Sequence, residues 1–361
     1  MKLTVCGDLC VTPSSLEFFK NADEVGAFGD TLPLYKEADR AIVNLECALT
    51  ESENEIKKFG PNLKAPKSTA DALKKAGFTD CMLSNNHIFD FGKEGLRDTL
   101  NELDRVGLLY TGVGENYEDS RRNHYIELDG IKVTFINVNE HEYTYAIENR
   151  MGVRPFDEFE TMHDIREAKK SADYVIVIYH GGKEFSHYPS PRLVKACHEM
   201  VECGADTVLC QHSHCVGGYE KYEGAHILYG QGNFHFVGRQ STKDWNEGLI
   251  VLLDIDKKGI KIDFVPIKAE NGAIRLANAD EKAQMMAEFA ERNEKLQNGE
   301  WRKEWAAFCE SVKPAYRKAA GFKEDATPDE YQFFAHYFDC EAHSDVWREI
   351  FKTWNHTNEV D

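Results

Sequence analysis

The 361 residues suffice for one large α/β domain with an appendage or for two domains, and a hydrophobic content of 42% argues against a disordered chain. The formal net charge of −19 argues against a nucleic-acid partner, because phosphate backbones are bound by clustered Lys and Arg. The same charge disfavours broad contact with any polyanion unless metal ions or a local basic pocket supply positive charge.

Cysteine placement and hydropathy predict the compartment. None of the ten cysteines forms a Cys-x-x-Cys pair, and Cys6, Cys81 and Cys210 sit in apolar runs, where thiols act as small hydrophobes. Disulfide frameworks are typical of short secreted chains, so a reducing compartment is predicted. The chain opens on an apolar strand, and no run approaches the roughly 20 residues that a membrane-spanning helix needs. We therefore expect a cytoplasmic protein with no membrane partner.

Short apolar runs alternate with helical patterns through the first two thirds of the chain, which indicates an α/β fold. Strands are predicted at residues 2–8, 40–46, 80–87, 130–139, 173–182, 205–214, 226–234, 247–256 and 259–267, the last two forming a hairpin around Lys257 to Gly259. Helices are predicted at 67–77, 93–107, 159–172 and 190–204. Ser68 is the expected N-cap of the first helix and Gly77 its stop.

After about Asn278 the residue pattern changes and predicts charged helices that carry aromatic residues. Two apolar faces are predicted there, one from Trp301, Trp305, Phe308 and Val312 and one from Val346, Ile350, Phe351 and Trp354. Apolar aromatics at helical spacing indicate packing more often than chemistry. The sequence thus predicts a main domain at 1–275 and a helical extension at 276–361. Covering the sheet, forming a lid and pairing with another subunit in a homo-oligomer all fit this extension.

Polar side chains stand where five predicted strands end. They are Asp8 after the first, Asn44 and Glu46 after the second, Asn86 and His87 after the third, then His180, and finally His212 and His214. In open α/β sheets ligands gather at the carboxyl ends of strands. Carboxylate, amide oxygen and imidazole together suit divalent Zn, Mn or Fe. A cap or core role explains each residue singly, but their joint placement predicts one shared metal site.

The last two of these histidines are two residues apart. On a regular strand such residues lie on the same face, so His212 and His214 are expected to reach one site without a special bend.

The order of motifs along the chain is distinctive. It runs Gly7-Asp8, "NLE" at 44–46, "NNHIFDFG" at 85–92, His180-Gly181, "HSH" at 212–214 and "GNF" at 232–234. This order resembles the CapA family of poly-γ-glutamate capsule synthesis proteins over roughly residues 1 to 270. The family's fold is similar to that of calcineurin-like metallophosphoesterases. The resemblance therefore implies an α/β, metallophosphoesterase-like four-layer αββα sandwich with a C-terminal helical extension.

The resemblance also implies a role for each matched residue. Glu46 would bridge two divalent ions, where a bridging Asp is usual in metallophosphoesterases. The other ligands would be Asp8 and His214 for the first ion and Asn86, His180 and His212 for the second. His87 would protonate the leaving oxygen, and Asn85 would shape the turn.

One position departs from the metallophosphoesterase pattern. The first motif usually reads Asp-x-His, and here it reads Asp8-Leu9-Cys10. Cys10 is either a thiolate ligand, which would favour Zn, or a small buried residue. If Cys10 is only a small buried residue, the ion beside Asp8 is held weakly, and we expect the protein to carry one ion rather than two.

Further candidates for substrate binding surround these motifs. They are Asn44, Asn85, Lys183, Glu184, Arg154 and Asn233, with Lys183 and Glu184 either lining a pocket or solvated at the surface. Arg154 binds an anion or closes a local ion pair. His235 is assigned a structural role, and His124, His141, His163 and His198 are assigned none.

The predicted ligand set supports hydrolysis. Two cations about 3.5–4 Å apart acidify water and clamp the oxygens of an in-line displacement, and a histidine protonates the departing group. A phosphoester is the natural substrate, and an amide is compatible.

The alternatives are a noncatalytic, metal-dependent binder of poly-γ-glutamate or another anionic polymer, and an assembly protein whose tail recruits partners. Capsule-assembly members are generally membrane-anchored, whereas no anchor is expected here, so a small anionic substrate fits as well as a polymeric one.

Overall fold

The computed structural model describes residues 1–238, 242–321, 323 and 325–356, with side chains only as far as Lys352. Trp354, which the sequence places on an apolar helical face, lies outside the described side chains.

The strands follow the apolar runs closely. In chain order they are β1 Lys2–Leu9, β2 Arg40–Leu45, β3 Ala48–Leu49, β4 Lys64–Ala65, β5 Asp80–Met82, β6 Leu109–Thr111, β7 Val113–Gly114, β8 His124–Leu128, β9 Ile131–Asn139, β10 Gly152–Val153, β11 Tyr174–His180, β12 Thr207–Gln211, β13 Tyr219–Tyr222, β14 Ala225–Leu228, β15 Asn233–His235, β16 Glu247–Asp256, β17 Gly259–Glu270 and β18 Ala273–Leu276.

The helices complete the element list. They are α1 Leu16–Lys20, α2 Glu24–Phe28, α3 Leu32–Lys36, α4 Thr69–Ala76, α5 Gly92–Val106, α6 Tyr117–Ser120, α7 Glu158–Lys169, α8 Pro191–Glu202, α9 Ala279–Asn298, α10 Trp301–Ala320, α11 Pro328–His336 and α12 Glu341–His356.

Most of the strands form two large sheets. The first has the order β18-β17-β16-β1-β2-β5-β6, with β15 also paired to β1, and the second has the order β13-β14-β12-β11-β9-β8. Strands β1, β2, β11 and β12 are almost wholly buried, as expected where both faces of a sheet are covered. Their parallel pairing, β1 with β2 and β11 with β12, brings the carboxyl ends of each pair to one edge.

Three apolar cores define the layers. Residues of both sheets, such as Val5 and Ile178, form the core between them. Phe78 and Leu96 belong to the core on the outer face of the first sheet, and Met200 belongs to the core that covers the second. Helix, sheet, sheet and helix thus form four layers. This architecture confirms the predicted αββα sandwich.

The C-terminal helices pack against the sandwich and against one another. Trp301 joins the core outside the second sheet, and Phe289 reaches the core between the sheets. Trp305, Tyr316 and Val346 form a separate core within the extension. The predicted helical extension is therefore present, and it covers part of the sheets, whereas pairing with another subunit stays a prediction.

Several predicted boundaries are wrong for local reasons. The strand at 80–87 ends at Met82, because Asn85 turns the chain by accepting the backbone N–H groups of His87 and Ile88. The strand at 205–214 ends at Gln211. The backbone then bends, with φ of +87° at His212 and +54° at His214, so the expected regular strand does not carry this pair.

Two further expectations need correction. The single strand predicted at 226–234 is two strands, β14 in the second sheet and β15 in the first. Ser68 does occupy the N-cap position of α4, but its hydroxyl donates to the carbonyl of Phe19 instead of capping the helix. Gly77 ends that helix in the left-handed conformation, as predicted.

Within the described part of the chain, no helix is both long enough and apolar enough to span a bilayer.

Candidate metal centre

Parallel register brings the polar strand ends together. Asp8 on β1 is level with Asn44 on β2 and with Asn233 on β15. His180 is the last residue of β11 in the second sheet, and His212 follows the end of the neighbouring β12. Adjacent edges of the two sheets therefore supply the side chains of one buried cluster.

The predicted ligands lie within contact of one another. Asn86 Oδ1 is 2.8 Å from His180 Nε2, and that nitrogen is 3.4 Å from Glu46 Oε1. One ligand atom each from Glu46, His212 and His214 lies within 4.8 Å of the other two. Asp8 Oδ2 is 3.6 Å from His214 Nδ1. The structure thus joins all six side chains, while their role as ligands stays a prediction.

Glu46 is the most telling member of the cluster. Its side chain is fully buried, and neither oxygen has a hydrogen-bond partner among the residues that the structure describes. Burial raises the pKa of this carboxyl above its usual value. An ionised carboxylate in such a place costs several kcal/mol unless a cation pairs with it. A divalent cation is the partner that fits this donor set.

Two of the three imidazoles, those of His180 and His212, are in the neutral form. Burial lowers the pKa of His180 to about 4 and that of His212 well below its usual value. Neutral imidazole is the form that binds metal. For His214, burial lowers the pKa, but the charges of Glu46 and Asp8 outweigh it and raise the pKa overall.

Asp8 is held by two hydrogen bonds. Its Oδ1 accepts from Asn44 Nδ2 at 2.8 Å, and its Oδ2 accepts from the backbone N–H of His212 at 3.0 Å. Burial, with the Glu46 charge adding to it, still raises the pKa of Asp8 to about 6. Without a cation, the two site carboxyls resist ionisation.

Of three asparagines predicted to bind substrate, Asn44 and Asn233 contact predicted ligands, and Asn85 contacts Asn44. Asn44 Nδ2 lies 3.1 Å from His180 Nδ1, and its Oδ1 accepts from Asn85 Nδ2 at 2.9 Å. Asn233 Oδ1 accepts from His214 Nδ1 at 2.9 Å. Groups that fix ligand rings in this way tune metal sites. These contacts favour an orienting role for Asn44, Asn85 and Asn233.

His87 belongs to a buried triad. Its Nδ1 is 2.6 Å from Asp90 Oδ2, and Lys58 Nζ lies 2.6 Å from the other Asp90 oxygen and 3.1 Å from His87 Nδ1. Nδ1 is thereby engaged, which leaves Nε2 as the nitrogen for proton transfer. Sequence reasoning missed both partners. Asp90 lies within the quoted motif, three residues after His87, but Lys58 comes from a loop with no motif.

A cavity of about 200 Å³ opens over the cluster. Asn86, His87 and His214 line it, and so does Glu184, whose Oε1 lies 3.8 Å from His212 Nε2. His336 of the C-terminal extension is part of the same wall. The extension therefore takes part in the pocket, as a lid would.

Other candidates lie apart from the cluster. Arg154 forms a local ion pair, since its guanidinium donates to Asp164 at 2.6 Å and to Asn123 at 2.9 Å. Cys10 is buried, and burial raises the pKa of its thiol well above the usual value, which fits the small buried residue better than a thiolate ligand. Lys183 is half-buried and faces the extension, where burial and its charge lower the pKa of His343.

His141 has no function assigned from the sequence, yet it borders the cluster. Its ring centroid is 4.5 Å from that of His212, and it lines the cavity. Burial lowers its pKa to about 3, so the ring is neutral. His141 follows the end of β9, and the strand-end pattern that identified the other residues could have found it.

Comparisons with known proteins agree with the motif order. The family model for "Bacterial capsule synthesis protein PGA_cap" matches residues 2–237. "Capsule biosynthesis protein CapA" of Bacillus anthracis is 29% identical over 76% of this chain and 68% of its own length. "PGA biosynthesis protein CapA" of Bacillus subtilis (strain 168) is 31% identical over 69% of this chain and 66% of its own length. The chain thus matches about two thirds of the length of these relatives.

Among solved structures, a hypothetical protein from Thermus thermophilus is similar over 75% of this chain and 100% of its own. The TM-score of that pair is 0.45 and the sequence identity 16%.

Proposed function

This chain belongs to the PGA_cap family of bacterial capsule synthesis proteins, and we propose that its buried cluster is a divalent-metal centre for hydrolysis of an anionic substrate. The match to the family model confirms the family that the order of motifs predicts. The reaction proposed is phosphoester cleavage of the metallophosphoesterase kind, with an amide as the second bond type.

One observation carries this proposal. The buried carboxylate of Glu46 has no hydrogen-bond partner among the described residues, and ligand nitrogens of His180, His212 and His214 lie close to it. A packed core does not retain a buried carboxylate that lacks hydrogen-bond donors without compensation. A bound cation removes the cost and uses every one of these donors.

The residues around the centre have different roles in the proposed reaction. Divalent ions supply Lewis acidity and lower the pKa of water, which is the chemistry that phosphoester hydrolysis needs. Asn44 holds Asp8 and His180 in place from behind. Asp90 orients His87 through Nδ1, so that Nε2 delivers a proton to the departing oxygen. The tail closes one side of the cavity and limits access of water.

Cavity size bears on the substrate. A volume of about 200 Å³ is smaller than the roughly 300–1,000 Å³ of sites that enclose a drug-sized ligand. It accommodates one terminal phosphate or carboxylate-bearing group rather than the body of a polymer. The proposed substrate is therefore a small anion or the end of a polymeric one.

An activity assay with matched variants tests the proposal. We expect wild-type protein with added Mn²⁺ to hydrolyse aryl phosphates, and His87→Ala to lower kcat by roughly 100-fold or more. His180→Ala should lower both metal content and rate. His163→Ala, at an exposed site on α7, is the control and should behave as wild type. Absence of any metal-dependent rate over a panel of phosphoesters and amides would contradict the proposal.

A second function has its own support. Position 10 carries a buried, protonated thiol where metallophosphoesterases place a ligand, which weakens the Asp8 side of the centre. A site that is incomplete for catalysis still binds carboxylates through a metal ion. This observation favours metal-dependent binding of poly-γ-glutamate as the alternative. Binding that survives in His87→Ala but is lost with a chelator would favour it over hydrolysis.

A further inference from the structure

A second cluster of ligating side chains lies in the C-terminal extension. His336 is the last residue of α11, Asp339 lies in the following turn, and His343 is in the first turn of α12. One ligand atom of each residue lies within 4.8 Å of the other two. Asp339 is equally close to His141 and Cys340. None of these residues belongs to the centre described above.

Asp339 shows the same signature as Glu46. Its Oδ2 accepts from His336 Nδ1 at 3.1 Å, but its Oδ1 is buried and has no hydrogen-bond partner within the described portion of the chain. If the cluster were only a histidine–carboxylate ion pair at a helix end, that oxygen would reach solvent or a donor. It is buried instead, in a side chain of which one carboxylate oxygen lies within 4.8 Å of a nitrogen of each of two imidazoles.

The spacing of the donor atoms suits a tetrahedral ion. With metal–ligand bonds of about 2.0–2.1 Å, neighbouring donors of a tetrahedral zinc site lie roughly 3.3 Å apart. The 3.1 Å between His336 Nδ1 and Asp339 Oδ2 is close to this value. The rings of His336 and His343 lie with centroids 4.5 Å apart. The other donor separations, which are at most 4.8 Å, would shorten when one ion binds all three.

A buried tyrosine orients the third ring. Tyr316 is 1% exposed, and its hydroxyl lies 2.6 Å from His343 Nδ1. The hydrogen bond fixes the ring and leaves Nε2 for a ligand. Metal-ligating histidines almost always have such a partner on the other nitrogen.

The surroundings explain what an ion would do there. His336 lines the cavity over the main centre and stacks on Phe59, with centroids 4.5 Å apart. Asp339 accepts the backbone N–H of Glu142 through its carbonyl, and Cys340 pairs with His141 in a β-bridge. The turn between α11 and α12 is thus the part of the extension that touches the pocket.

We propose that His336, Asp339 and His343 form a second divalent-cation site, which fixes the α11–α12 turn over the pocket. Two imidazoles and one carboxylate form a donor set that favours zinc. The site is separate from the main centre, and it does not depend on any catalytic activity.

Metal counting in a variant without the main centre tests this site. In full-length Glu46→Gln/His180→Ala/His212→Ala/His214→Ala, one equivalent of zinc should remain after dialysis, measured by elemental analysis. Adding His336→Asn and His343→Asn should remove it. Adding His163→Asn instead, at an exposed position, is the matched control and should retain the zinc. Equal zinc content with and without the two tail histidines would overturn the proposal.

A cobalt spectrum and the milder variant Tyr316→Phe distinguish loss of the site from misfolding. Co²⁺ bound to the Glu46→Gln/His180→Ala/His212→Ala/His214→Ala protein should give the visible d–d bands of a tetrahedral nitrogen and oxygen site. Tyr316→Phe keeps the ring but removes the hydroxyl, and it should weaken zinc binding by about 10- to 100-fold with an unchanged circular dichroism spectrum. Unaltered affinity in Tyr316→Phe would contradict the assignment of His343.

Discussion

The cost of an unpaired buried carboxylate determines the behaviour of Glu46. Nothing among the described residues donates a hydrogen bond to it, and burial raises its pKa. Because the folded pKa lies above the unfolded one, the ionised group destabilises the metal-free protein at neutral pH and above. A bound cation should therefore stabilise the centre at neutral pH and above.

Replacement of Glu46 by Gln should stabilise the metal-free protein while abolishing the gain from metal. At pH 8 with a chelator, we expect Glu46→Gln to raise the free energy of unfolding by about 1–3 kcal/mol. Urea melts with and without Mn²⁺ measure both effects. A variant that is less stable without metal, or equally stabilised by it, would contradict this account.

Asp90 should act through His87 rather than on the substrate. It binds Nδ1 of that ring at 2.6 Å, so Asp90→Asn should lower kcat by roughly tenfold or more and shift the pH profile, with little change in KM. Metal content should stay as in wild type. Asp129→Asn, an exposed position whose left-handed backbone Asn tolerates, is the control. A change in metal content with an unaltered pH profile would argue for a structural role.

At the scale of elements, the sequence predicts buried strands well and their ends less well. The runs that became β1, β2 and β11 are continuous and apolar, so their carboxyl ends could be aligned and the cluster found. The ends depend on side chains that bond to backbone groups, as Asn85 does after β5. They also depend on bends such as the one at His212, which a period-two pattern does not report.

Gly232 lies where the chain passes from β14 in the second sheet to β15 in the first. The run of apolar residues in the sequence does not reveal this change of sheet. The φ of Gly232 is +71°, and a Cβ there would lie 2.7 Å from the carbonyl oxygen of Glu247. Gly232→Ala should lower the free energy of unfolding by about 2 kcal/mol or more, since strain and a backbone clash add. Gly224→Ala is the control for strain alone, because its φ is +89° and its Cβ would meet nothing within 4 Å. Equal losses in urea melts would contradict the clash.

The tail illustrates why some site residues escape sequence reasoning. His336 and His343 are seven residues apart, on two helices with a turn between them, so neither a strand end nor one helical face groups them. Lys58 reaches Asp90 from a loop for the same reason. Such contacts arise from packing of distant segments, and no local period encodes them.

Over the whole molecule, buried histidines dominate the pH dependence of stability. Burial lowers the pKa of six of them, namely His141, His180, His212, His226, His235 and His343. Each binds a proton in the unfolded chain below its ordinary pKa of about 6.5 but not in the folded one. Raised carboxyl pKa values oppose this, at Asp8, Glu46, Glu142 and Asp345, and so does the raised pKa of His214.

Among the described side chains, the six histidines with a lowered pKa outnumber these five groups by one, so stability should fall as pH drops from 6.5 to 4.5. With chelator present, we expect a loss of roughly 1.4 kcal/mol per pH unit, the value for one net proton. Urea melts at three pH values across this interval measure the slope. A flat or rising free energy of unfolding on acidification would contradict the assignment of neutral buried imidazoles.

Anomalous diffraction from a crystal grown with Mn²⁺ or Zn²⁺ tests the central claim most directly. We expect a strong anomalous peak at bonding distance, about 2.0–2.2 Å, from the carboxylate of Glu46 and the imidazoles of His180 and His212. A structure at full metal loading that shows no peak within bonding distance of Glu46 would contradict the claim.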